Sequence, residues 1–175
     1  MFVLGIDPGL SLCGYGGVRQ LGSATELVTA GVIKTPPSEP TPQRLLTLRR
    51  DIRELIEEFS PDAVAVERVL FQVNVSTAMG VGQASGVALI EAADYGCEIA
   101  EYSPNQIKLA VAGHGSANKE EVATMVKMLL GLSQPLKYTD TADALATALC
   151  HLAFSTSRTS SHTASRTTNR TASRV

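Results

Sequence analysis

Apolar residues along this chain fall into two patterns: short unbroken runs, and longer stretches spaced three and four apart. The run Phe2–Ile6 ends in Asp7-Pro8-Gly9, which predicts a strand buried on both faces and stopped by a turn. Tyr15–Val18 and Leu27–Ile33 follow, separated by glycine-containing breaks, and predict an antiparallel meander with the first strand. Leu45, Leu48, Ile52, Leu55, Ile56 and Phe59 then recur at helical spacing, with Thr41 as the expected N-cap before Pro42 and Ser60-Pro61 as the stop. Ala63–Val66 is a further strand, ending in Glu67. The segment Ser76–Tyr95 reads as a helix rich in small residues. Each glycine there costs about 1 kcal/mol relative to alanine, so close packing has to offset it. Cys97–Tyr102 is the fifth strand, and Pro104–Val111 and Ala117–Leu130 are helices, the second expected to start from Ser116 as N-cap. A last helix is predicted from about Thr139 to Phe154, with Leu145, Leu149 and Leu152 as its apolar stripe.

This order predicts a single α/β domain over residues 1–154, built on a five-stranded mixed sheet flanked by helices. With 175 residues and 44% hydrophobic content the chain can bury a core of that size. Residues 155–175 are a Ser/Thr/Arg stretch with little to bury, predicted to be disordered. There is no apolar run of the ~20 residues a membrane span needs, and no leader-like start, so a soluble, cytoplasmic protein with no membrane partner is expected. Cys13, Cys97 and Cys150 are scattered, which suggests reduced thiols rather than a disulfide framework or a zinc site.

The net charge of −2 hides two regions. Arg158, Arg166, Arg170 and Arg174 lie beyond Phe154 with no acid among them, so removing these four from the 15 basic residues leaves 11 against 17 acids, a charge of −6 for residues 1–153. A body this acidic binds nucleic acid only through local basic surface, or where cations cancel clustered carboxylates.

Asp7 and Glu67 each follow a buried strand, at the strand ends where α/β sheets collect their sites. Asp140 and Asp143 lie three apart at the start of the last helix, on one face. Each has an ordinary explanation by itself: turn chemistry for Asp7, a solvated strand end for Glu67, helix-start acids for the other two. Four such acids together point to one or two hard divalent cations acting on a phosphodiester.

The segments GIDPGLSLCGYG, AVERVLFQVNVSTAMGVGQASGVAL, GHGSANKEEV and TDTADALATALCH, in this order and spacing, resemble the RuvC family of Holliday-junction endonucleases over about Phe2 to Phe154. The resemblance implies a ribonuclease-H-like fold and a homodimer that resolves four-way junction DNA in recombination and repair by paired symmetric nicks. It further implies Mg²⁺, for which Mn²⁺ substitutes, and the RuvA-RuvB branch-migration complex as a partner. Carried over residue by residue, it makes Asp7, Glu67, Asp140 and Asp143 the metal-binding catalytic acids, and puts Lys119 near the scissile phosphate. Lys108, Arg68, Asn74, Gln83 and Ser116 become candidate DNA contacts. The family often has a base-stacking aromatic three residues after the catalytic Glu, whereas this chain has Leu70 there and Phe71 next. A one-residue shift in a strand reverses the face. Either the loop re-aims Phe71, or the wedge role passes to Leu70 or is absent. The dimer is expected to form through Ser76–Tyr95, with Ala78, Gly82, Ala84 and Gly86 permitting close approach and Val81, Leu89 and Ile90 supplying apolar contact.

Three other readings compete. An actin-like ATPase also opens on a strand-end Asp but needs two such domains and a nucleotide loop, which this sequence lacks. A related nuclease acting on structured RNA has a similar start, but the long segment from Val69 to Gln83 and the GHGSANK loop favour the resolvase. A non-catalytic junction-binding module has no need of all four acids.

Overall fold

The computed structural model describes residues 1–68 and 75–168. Five strands and five helices alternate as β1 (Phe2–Asp7), β2 (Leu12–Leu21), β3 (Ala24–Lys34), α1 (Thr41–Phe59), β4 (Ala63–Glu67), α2 (Val75–Tyr95), β5 (Glu98–Tyr102), α3 (Pro104–Ala112), α4 (Lys119–Leu129) and α5 (Thr139–Thr168). The sheet order is β3-β2-β1-β4-β5. β1, β2 and β3 are antiparallel neighbours, and β4 and β5 add in parallel on the other side of β1. This is the five-stranded mixed sheet that the hydrophobic pattern predicts. The hairpin strands are longer than expected, because Gly14, read as part of a break, is itself a strand residue. A two-residue turn joins them, with Gly22 at φ +63° and Leu21 paired to Ala24.

Alternation along the strands divides the core into two layers. Leu4, Ile6, Val64 and Val66 face α1 and α2, meeting Leu48, Ile52, Ile56, Ala84, Ala88 and Ala92. Val3, Ala63 and Ala65 face the other way, toward α3, α4 and α5. The residues on this second face are small, and the reason is α5. A Cβ at Gly5 would stand 2.0 Å from the Ala144 carbonyl oxygen, and one at Gly14 would stand 2.1 Å from the Asp140 carbonyl oxygen. The helix backbone therefore rests directly on the backbone of β1 and β2. Thr141 adds a tie, its hydroxyl donating to the Gly31 carbonyl of β3 at 3.1 Å.

Local signals set the helix ends. Thr41 is already helical and Pro40 is the cap residue of α1, its carbonyl accepting from Gln43 and Arg44, where the sequence pattern suggested Thr41. The cap of α4 is Asn118 rather than Ser116: Asn118 accepts from the Glu121 backbone and Glu121 accepts from that of Asn118, a complete capping box. Ser116 instead bonds the His114 ring at 3.1 Å. α5 extends past the expected end at Phe154 to Thr168. No proline or glycine interrupts Ser155–Thr168. Residues 169–175 of the predicted tail lie outside the described residues. Cys13, Cys97 and Cys150 are free thiols, as expected. Among the described residues no helix is long and apolar enough to cross a membrane.

The contact of α5 with bare strand backbone has a direct test. Gly14→Ala should cost on the order of 1–3 kcal/mol of unfolding free energy, the range for overpacking a filled interior. Chemical denaturation measures it, and an unchanged midpoint would mean that the helix does not sit where described.

Candidate active site

β1 and β4 are parallel neighbours with Ile6 opposite Val66, so Asp7 and Glu67 leave the sheet side by side at the same end. Asp7 continues the series Val3, Gly5 and Glu67 continues Ala63, Ala65, which places both on the α5 side. Across β2, Asp7 pairs with Gly14, the residue on which the Asp140 backbone rests. The first turn of α5 is thereby brought to the acids of the two strands. One turn on from Asp140, Asp143 accepts a hydrogen bond from Lys119 Nζ at 3.0 Å. Lys119 opens α4 and its side chain is 77% exposed, against 19% for Asp143. Asp7, Glu67, Asp143, Lys108, Lys119 and Arg68 line a cavity of about 670 Å³.

Burial and mutual repulsion set the electrostatics of this cavity. Burial first, then the charges of Glu67, Asp143 and Asp140, push the Asp7 carboxyl up to about 7, with Lys119 opposing. Glu67 is also pushed up to about 7, by burial and then Asp143, against the pull of Lys119 and Lys108. Its hydrogen bond to Asp143 in turn raises the Lys119 ammonium above its ordinary range. The two strand acids thus hold protons at a pH where free carboxyls have lost them, a state that a nearby cation reverses. All four acids offer hard oxygen donors, the type that magnesium-like ions take. Among the described residues no group of three or more is gathered closely enough to hold an ion as it stands, and Asp143 is turned to Lys119.

Comparison with known proteins decides the lineage. The family model for the crossover junction endodeoxyribonuclease RuvC matches residues 3–151. A RuvC from Alkaliphilus oremlandii is 46% identical over 151 residues, covering 86% of this chain and 92% of that one. Thermus thermophilus RuvC, solved in complex with a Holliday junction substrate, superposes with a TM-score of 0.84 at 41% identity, covering 89% of this chain and 94% of that one. The chain belongs to the RuvC family. The yeast mitochondrial Holliday junction resolvase, with a TM-score of 0.62 and 16% identity over 86% of this chain and 78% of its own, shares the ribonuclease-H-like fold. RuvC nucleases are metal-dependent enzymes.

Of the residues singled out from the sequence, Asp7, Glu67, Asp143, Lys108, Lys119 and Arg68 meet in this cavity. Asp140 is not among its lining residues but acts on Asp7 through its charge. Gln83 is exposed on α2 and Ser116 is exposed in the loop before α4, neither lining the cavity. Leu70, Phe71 and Asn74 lie outside the described residues. Thr77 and Asn105 line the cavity without having been anticipated. For Asn105 the signal was present: it sits at the start of α3 just past β5, whose Tyr102 is level with Glu67.

The raised carboxyls give a pH prediction for the metal-free protein. A folded-state pKa of about 7 against an unfolded value near 4 means the fold binds more protons between those limits, so these groups lower stability as pH rises through the window. In the presence of a chelator, Asp7→Asn should be more stable than the parent chain at pH 8, by a margin that closes as pH falls toward 4. Thermal or urea unfolding across pH reads this, and a margin that grows on acidification would contradict the assigned environment.

Proposed function

We propose that this chain resolves Holliday junctions by metal-assisted hydrolysis, with Asp7, Glu67, Asp140 and Asp143 as the metal ligands and Lys119 as the phosphate-facing cation. The observation carrying this reading is that acids from β1, β4 and α5 reach one cavity together with Lys119, in a chain of the RuvC family. The cavity faces outward from one end of the sheet, where a nucleic-acid strand can enter.

The residues divide the work. Asp7 and Glu67, half-buried and close in charge, are poor carboxylates alone and strong ligands for a divalent cation. When bound, Mg²⁺, or Mn²⁺ in its place, supplies the positive charge that lets a water attack phosphorus and steadies the departing oxygen. Attack from water and departure of the 3′ oxygen leave a 5′-phosphate and a 3′-hydroxyl. Lys119, tethered at Asp143, carries an exposed positive charge to the edge of the cavity, where it opposes the negative charge that builds on the phosphate during the reaction. Arg68 and Lys108 line the same cavity and supply further positive charge for the strand entering it.

Paired symmetric nicks need two such sites, which a two-fold dimer provides. In α2, Ala78 and Ala84 are buried in their own subunit, Val81 lines the cavity and Leu89 packs on the core. Met79, Gly82, Gly86 and Ile90 instead fall at helical spacing on the outward face, with Met79 61% and Ile90 64% exposed and open space beside both glycines. That face is the proposed dimer contact, with the RuvA-RuvB complex as a further partner of the assembled enzyme. Sedimentation tests the contact: Gly82→Arg should shift a parent dimer toward monomer, and an unaffected dimer would move the interface elsewhere.

Cleavage of a synthetic four-way junction in Mg²⁺, with linear duplex as control, tests the activity. Asp7→Asn should reduce cleavage to background while still binding the junction, and full activity of that variant would overturn the ligand assignment. Lys119→Ala should lower the rate on the order of 10²-fold, as loss of a transition-state contact does, with far less change in affinity. Equal losses in rate and affinity would make Lys119 a uniform phosphate contact.

A further inference from the structure

Outside the cavity, at the same end of the sheet, lies a second group of charged and aromatic side chains. Lys34 is the last residue of β3 and pairs with Leu12, two places along β2 from the Gly14 that faces Asp7. Its Nζ donates to the Tyr138 hydroxyl at 3.1 Å and sits 4.6 Å from the centre of that ring. Lys137 Nζ stands over the same ring at 5.3 Å. Tyr138 immediately precedes α5, so the positive end of that helix points to the same place.

This arrangement is electrostatically one-sided. Ring attraction, worth roughly 0.5–1 kcal/mol at exposed positions, holds each ammonium against Tyr138, yet the two ammonium groups repel one another. Among the described residues neither lysine has a carboxylate partner: the ion pairs engage Arg49, Arg50, Arg53 and Lys119. In a body that carries −6 over residues 1–153, two unneutralised lysines fixed on one aromatic ring are an exception. The Tyr138 oxygen accepts from Lys34, which leaves its O–H directed to donate elsewhere. Two ammonium groups and one hydroxyl donor match the oxygens of a phosphodiester, and the tyrosine hydroxyl is a common phosphate contact in protein–DNA interfaces.

We infer that Lys34, Lys137 and Tyr138 form a second DNA contact, which grips the sugar-phosphate backbone of a duplex arm next to the cleavage cavity. This rests on the resolvase reading, because the occupant is an arm of the same junction whose strand enters among the acids. Position supports it. Tyr138 lies two residues before Asp140, and the Thr141 tie to Gly31 fixes the start of α5 against β3, so the cradle and the acid cluster are held in one rigid relation. A backbone contact at this place orients the arm and carries no sequence information of its own.

Anisotropy of a labelled four-way junction, titrated with full-length chain in chelator between roughly 50 and 200 mM salt, tests the inference. Each phosphate contact contributes about 0.9 to the slope of log affinity on log salt, so Lys34→Ala with Lys137→Ala should flatten that slope by roughly 2 and weaken binding whatever the junction's sequence. Both lysines are exposed, so the fold should survive the change, and the paired change to arginine should restore the slope. An unchanged slope in the double-alanine variant would overturn the contact. So would a loss that arginine fails to rescue, since that would report distortion rather than charge. A parent chain that does not bind the junction in the same titration would defeat the resolvase reading itself.

Discussion

Everything at the candidate active site depends on how closely α5 can approach the sheet. Its backbone lies against Gly5 and Gly14, where a single Cβ would collide with helix carbonyl oxygens, and it presents its own small residues, Ala144 and Ala148, to the strands. Interiors pack at crystal-like density, so this contact has one depth rather than a range. Because Gly14 pairs with Asp7, that depth also sets where Asp140 stands. The site is assembled by a backbone packing constraint beside the carboxylates it serves, between Gly14 opposite Asp7 and the backbone of Asp140.

The second constraint works against the first. Bringing acids together in a half-buried cavity is unfavourable, as the raised Asp7 and Glu67 carboxyls register. Two basic neighbours, Lys119 and Lys108, offset part of this, and the hydrogen bond of Lys119 goes to Asp143 rather than to the pair at the strand ends. The remaining tension is a feature that a cation or a phosphate-bound metal would relieve, so the cost borne by the free protein becomes binding energy for the ion. The basic residues of this acidic body divide in the same way: Arg68, Lys108 and Lys119 line the cavity, while Arg49, Arg50 and Arg53 on α1 are taken up in ion pairs.

Much of this was legible in the sequence. Strand and helix types followed from the hydrophobic periods, and the strand-end positions of Asp7 and Glu67 marked the site before any geometry was known. The parity of Val3-Gly5-Asp7 and Ala63-Ala65-Glu67 was equally available and gives the face on which both acids stand. Other features were hidden by competing local rules. Ser116 and Asn118 are both good caps, and the reciprocal bonds with Glu121 decide for Asn118. Gly14 looked like a break between strands because a glycine that admits a helix and a glycine that makes a turn are the same letter in a sequence. The outward face of α2 could not be separated from its inward face by composition, since alanine and glycine occupy both.

The central claim is that acids from the strand ends and from α5 form one ion site and not two. A double-mutant cycle on Mn²⁺ affinity, measured by electron paramagnetic resonance on the DNA-free chain with Asp7→Asn, Asp143→Asn and the pair, addresses it most directly. Ligands sharing an ion are coupled, so each single change should weaken binding and the pair should lose far less than the sum of the two. Strictly additive losses, or a wild-type affinity in Asp143→Asn, would contradict a shared site.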